Sequence, residues 1–349
     1  MGSPALQPAA PSVRGTFSEA DLAGSNHPLR NELRTAGFSR GAIDAAWPSW
    51  WDDSLQDEPS GEAELRFALS RKLGLSARSL LGERVEFVWN DEAFFKHLTA
   101  KQEGQRAAIT SFGMTLGRLL VRATGSGPGL EGLEAAALRN AILSRREAVD
   151  LISVLGACWG LGVPVIQLAV FPLDAKSMHA MIVHHDGRHA ILLARAARHP
   201  AQVAFTLAHE VGHAALGHLG SAPALVDMED PVEQAGDDDQ EVSADRFALE
   251  LLTGSPAPDI RIEARRFSAT SLANAVLDAG PKHRIDPATL ALCVGHQKQA
   301  WATAMGALRI IDPEPADVGR AINRIAAEQL DWASMGSDSR DWVEKVLAL

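Results

Sequence analysis

Two histidines four residues apart, with a glutamate directly after the first, lie inside an otherwise apolar stretch. Ala204-Phe205-Thr206-Leu207-Ala208 precedes His209-Glu210-Val211-Gly212-His213, and Ala214-Ala215-Leu216-Gly217 follows. No other feature constrains the fold as much. Pro200 suits a first helical turn, and Phe205, Ala208, Val211, Gly212 and Ala215 make one apolar face, so Pro200 to Gly217 reads as a helix. The i, i+4 spacing then sets both imidazoles on one face, one turn apart. Such apolar flanks imply burial, and two histidines with a glutamate in a buried helix need a polar reason. The plainer alternative is a satisfied pair of core histidines beside a surface glutamate.

The polar reason the spacing suggests is a Zn²⁺ ion. Imidazoles so placed can both reach one ion, and Glu210 is positioned to serve as general base for a water. A catalytic zinc needs a third protein ligand and an open position. The acidic and histidine candidates downstream are His218, Glu229, Glu233, Asp237 to Asp239, Glu241 and Asp245. A continuing helix would rotate His218 by roughly 140° from His213, away from the ion, so His218 is expected at or beyond the helix end. Glu241 is preferred. It opens a second helical pattern from about Gln240 to Leu252, whose stripe of Ala244, Phe247, Ala248, Leu251 and Leu252 could pack on the first helix. The small Ala244 and Ala248 would allow close approach. Asp245, one turn after Glu241, could accept the second ring proton of a liganding histidine.

With these residues in view, the segment from Ala148 to Leu252 resembles the ImmA/IrrE family of metallopeptidases. The resemblance rests on Phe205 to His213, on Glu241-x-x-Ala244-Asp245-x-Phe247-Ala248, and on the strand entry Gly162-Val163-Pro164-Val165-Ile166. It departs at Leu251 to Pro256, where the family often has proline sooner after the leucines. The resemblance implies His209, His213 and Glu241 as metal ligands and Glu210 as the catalytic group. It also implies a protein substrate, typically a helix-turn-helix repressor.

The rest of the chain reads as an α+β protein, with a small three-stranded sheet on the zinc-binding helices and helical regions on either side. Residues 1–26 look like a flexible tail without the basic start and apolar run of a signal peptide. Residues 27–129 look helical, with Phe94, Phe95 and Leu98 at helical spacing, and Gly125 to Gly129 marks a boundary. The metallopeptidase unit is expected over 130–256 and a helical region over 257–349. Within the unit, one helix is expected from Leu133 to Trp159. Strands follow at Val163 to Ala169, Met178 to Val183 and His189 to Leu193, the last two joined by Asp186-Gly187. Residues 151–173 carry no charge, but glycines and prolines interrupt them, so they read as a buried helix and strand and not as a membrane span. A polar, acidic loop is expected from Gly220 to Asp239.

Weaker signals qualify the reading. Leu69 to Leu80 resembles part of a repressor helix-turn-helix, with Gly74 at the turn and a mildly basic patch of Arg66, Arg71, Lys72, Arg78 and Arg84. A net charge of −11 opposes nonspecific attraction to phosphate, so direct DNA binding is the weaker alternative. A DNA-binding regulator with a metallopeptidase-like sensor, or a non-catalytic zinc-containing interaction protein, are the rival functions. Two cysteines, Cys158 and Cys293, both in apolar stretches, fit buried free thiols and a cytoplasmic setting. Trp47, Trp50 and Trp51 read as a packing cluster. His184 and His185 are expected to be exposed beside the hairpin turn, with no further metal ligand near them in sequence.

Overall fold

Several helices start where the sequence supplies a side-chain cap. Ser39 Oγ accepts the Ala42 amide, and Asp150 and Ser153 form a reciprocal capping box. The computed structural model describes residues 27–78, 85–89, 93–96, 103–174, 178–195, 197–228, 239–260, 268–314 and 317–349. Among these, helices α1 (Pro28–Thr35), α2 (Arg40–Ala46) and α3 (Pro59–Leu73) precede strand β1 (Ala93–Lys96) and helix α4 (Glu103–Arg122). Then come α5 (Ala135–Leu143), α6 (Leu151–Gly160), β2 (Val165–Gln167), β3 (Met178–His185), β4 (Arg188–Leu193), α7 (Pro200–Ala215), β5 (Ala224–Met228) and α8 (Asp239–Thr253). The chain ends with α9 (Ala269–His283), α10 (Pro287–Gln297), α11 (Trp301–Ile311), α12 (Val318–Gln329) and α13 (Ser337–Leu347).

The fold is α+β, but the sheet has five strands in the order β1-β5-β3-β4-β2, not three. β3 pairs antiparallel with β4 and β5, while β1–β5 and β2–β4 are parallel. The two extra strands correct the sequence reading. Ala224–Met228 lies in the stretch read as a loop, and Phe94 and Phe95 lie in a strand, not a helix. Each is too short to show its own period, and each gains its hydrogen bonds from a neighbour distant in sequence. The helix expected over Leu133 to Trp159 is two helices. Charged residues Arg145, Arg146 and Glu147 fill the gap, and Asp150 caps the second.

Alternation in the strands divides the core. Met181, Val183, Ala190, Leu192 and Val226 face a cluster built from α1–α4 and α13, with Phe38, Phe112 and Trp342 fully buried in it. Ala180, Ile182, Ile191, Leu193 and Leu225 face α5–α8. The sheet is therefore shared: α1–α4, from before Gly125, cover one face together with the C-terminal α13, and α5–α8 cover the other. α4 lies close on the strands because Gly117 has no Cβ; one placed there would sit 2.7 Å from Val183 Cβ. α9–α11 enclose a third, smaller core around Leu272, Leu290 and Leu308.

Gly74 ends α3 in a left-handed conformation at φ 68°, as a turn requires, while Leu80 and Arg84 fall outside the described residues. Two of the basic residues around that turn are engaged within the fold. Arg66 pairs with Glu62, and buried Lys72 bonds Asp338 at 2.7 Å and the Ala46 carbonyl at 3.0 Å. Trp47 and Trp51 are buried edge-on against His27, whereas Trp50 is exposed. The acidic stretch 229–238 is outside the described residues. No helix among the described residues is long and apolar enough to cross a membrane.

Candidate metal centre

Helices α7 and α8 pack face to face. Gly212 makes this possible, since a Cβ on it would lie 3.1 Å from Phe247 Cβ and 3.2 Å from the Ala244 carbonyl oxygen. Ala244 and Ala248 are fully buried, as their small size suggested. The approach brings the first turn of α8 over the middle of α7. Glu210 and His213 are completely buried and His209 nearly so. Glu241 lies in the first turn of α8, where a carboxylate also meets the positive end of the helix dipole.

Three ligand-type atoms converge here. His209 Nε2 and His213 Nε2 are 2.9 Å apart, and the Glu241 carboxylate oxygens lie 3.2 Å from the first and 3.4 Å from the second. Bonds of about 2.0–2.1 Å to a tetrahedral zinc would set ligand atoms roughly 3.3 Å apart, so the spacing and the His-His-Glu donor set fit a zinc ion. The field points the same way. Burial alone would push His209 down, but hydrogen bonds to Asp245 and Glu241 and the Glu210 charge outweigh it and bring the ring up to about 10. The residues thus create a site that favours positive charge.

Each histidine of the pair also has an outer contact. His209 Nδ1 lies 2.9 Å from Asp245 Oδ1, at the position expected for Asp245. His213 Nδ1 lies 2.9 Å from His218 Nδ1, and His218 Nε2 lies 3.3 Å from Ser243 Oγ. His218 sits beyond the end of α7, as expected, yet it is not remote from the site. Gly217, at φ 73°, stops the helix in a left-handed turn and swings His218 back against His213. Gly217 was the available signal: rotation by 140° holds only while a helix continues.

Residues 164–275 match the family model of the IrrE N-terminal-like domain, peptidase family M78. The chain carries an IrrE N-terminal-like domain. This supports its assignment as an ImmA/IrrE family metallopeptidase, a family that works with a divalent metal, usually zinc. The domain's matched span holds β2–β5, α7 and α8, and so every residue of the cluster. No curated protein and no solved structure matches the chain. The helices on the far face of the sheet, α1–α4 and α13, fall outside the matched span.

Proposed function

We propose that this chain is a zinc-dependent endopeptidase that cleaves a protein regulator, with a helix-turn-helix repressor as the substrate the family resemblance favours. The observation that carries the reading is the convergence of His209, His213 and Glu241 around one point next to the buried Glu210. These three residues would hold the ion. Zinc bound there would polarise a scissile carbonyl and bring the pKa of a water toward about 7. Glu210, buried and adjacent to His209, would take the proton of the attacking water and return it to the leaving nitrogen. Asp245 and His218 would orient the ring nitrogens of His209 and His213 that face away from the cluster.

The test is cleavage of a repressor encoded beside this chain, followed by mass spectrometry. The zinc-loaded protein should cut it, and Glu210→Gln should retain the metal while losing cleavage. Cleavage that survives Glu210→Gln removes the proposed base. No Glu210-dependent cleavage, together with tight sequence-selective promoter binding at physiological salt, favours the DNA-binding regulator instead.

A further inference from the structure

A second group of donors lies at the hairpin end of the sheet. His184 on β3 and His189 on β4 are directly opposed across the antiparallel pair, and their rings stack with centroids 4.9 Å apart. The connecting turn, Asp186-Gly187, has positive φ at both residues, which fixes this register. The side chains project on the face that also carries Ile182 and Ile191, the face covered by α7. Glu131, from the segment between α4 and α5, completes the group: ligand-type atoms of Glu131, His184 and His189 all lie within 4.8 Å of one another.

Two properties separate this group from an ordinary stacked pair. His184 Nε2 and His189 Nδ1 are buried from solvent and have no hydrogen-bond partner among the described residues. His189 as a whole is 3% exposed. Leaving a buried polar nitrogen unsatisfied costs about 1–3 kcal/mol, so two of them beside one carboxylate call for a common partner. The carboxylate, in contrast, is exposed, which leaves the site an entrance from solvent.

We propose that Glu131, His184 and His189 form a second cation site, for a divalent transition-metal ion that favours imidazole. Two imidazoles and one carboxylate suit Zn²⁺, Ni²⁺ or Cu²⁺ and poorly suit the oxygen-seeking Mg²⁺ and Ca²⁺. Its effect would be a clasp. The neighbouring Gly132 amide donates to the Ala215 carbonyl at the end of α7, 2.9 Å away. An ion held through Glu131 would tie this segment to the β3–β4 hairpin beneath the same helix. The site is independent of the α7–α8 centre and does not rest on the peptidase reading.

Full-length protein stripped of metal is titrated with Zn²⁺ against a chromophoric chelator. The unaltered chain should bind two equivalents, and Glu241→Ala should retain the hairpin equivalent. His184→Gln combined with His189→Gln should lose it. Because those histidines are partly structural, the exposed Glu131→Gln is the deciding variant: removing one of three ligands should weaken that equivalent by about tenfold or more while circular dichroism is unchanged. A single equivalent that vanishes in Glu241→Ala overturns the hairpin site and leaves the α7–α8 centre standing. A single equivalent that survives Glu241→Ala but weakens in Glu131→Gln supports the hairpin site and removes the other. A second equivalent indifferent to Glu131→Gln also overturns the proposal.

Discussion

At the residue scale, the contact of His209 with Asp245 gives a graded prediction. An outer hydrogen bond to a metal-bound imidazole is typically worth about 10–100-fold in metal affinity or activity. Asp245→Asn should therefore weaken zinc binding or activity within that range, and metal competition titration measures it. Glu241→Ala, which removes the proposed third ligand, should abolish stoichiometric binding at the α7–α8 centre. Retention of that zinc would reassign the third ligand to Asp245 or to an acid in 229–238. Sequence spacing does not mark His218 as a partner for His213. Its contact at 2.9 Å makes His218→Phe comparable to Asp245→Asn in effect. The cysteines offer a simpler check. Burial pushes the Cys158 thiol up to about 12 and that of Cys293 up to about 11. With thiolate fractions on the order of one in a thousand or less at pH 8, neither should alkylate quickly in the native protein, and both should after denaturation. Rapid native labelling at Cys158 would contradict its buried position in α6.

At the element scale, the α7–α8 contact is the determinant of the site. Gly212 faces Phe247 and Ala244 with no room for a side chain. Gly212→Val should destabilise the protein by about 1–3 kcal/mol through overpacking. It should also lower zinc affinity, because Glu241 reaches the histidines only while the helices stay close. A denaturation midpoint that falls while zinc affinity holds would show that the cluster tolerates separation. The contact between α3 and α13 is of another kind. Lys72 is buried against Asp338 and the Ala46 carbonyl, and burial draws its pKa down while Asp338 opposes the shift. Asp338→Ala leaves a buried ammonium without its carboxylate, for an expected loss of about 3 kcal/mol. Lys72→Met should cost less, since it removes the charge along with the need for a partner. If the two are equally destabilised in urea, packing and not charge governs this contact.

At the scale of the whole molecule, the two-faced sheet decides what can fold alone. A break at Gly125 to Gly129 suggests a separable unit beginning near Leu130. Yet Met181, Val183, Leu192 and Val226 pack against helices on the N-terminal side of that break, and Trp342 of α13 meets Phe112 of α4 edge-on at 5.6 Å. A fragment of 130–349 would expose that apolar sheet face, and the expected outcome is an insoluble or aggregated product. A soluble, monomeric fragment that binds zinc would show that α1–α4 are dispensable. β2 forms one edge of the sheet, the kind of place where an extended peptide can pair. There the backbone of Gln167 is already engaged at both its amide and its carbonyl by the side chain of Asn323, each at 2.8 Å, so β2 is closed at that residue by α12.

What the sequence by itself determined was local. The i, i+4 histidines, the apolar flanks of α7 and the stripe of α8 gave both helices almost to the residue. Asp186-Gly187 gave the β3–β4 hairpin, because a two-residue turn with positive φ has few sequence solutions. The spacing also nominated Glu241 and Asp245, and both lie against His209. Tertiary structure decided whatever depended on pairing across long separations. β1 and β5 are strands because they hydrogen-bond each other 131 positions apart in register, Ala93 with Ala224. His218 returns to the site because a helix ends at Gly217. Glu131 joins His184 and His189 because the segment before α5 runs under α7. A short segment with no period of its own carries no mark of its partner; only the closed chain brings the partner to it.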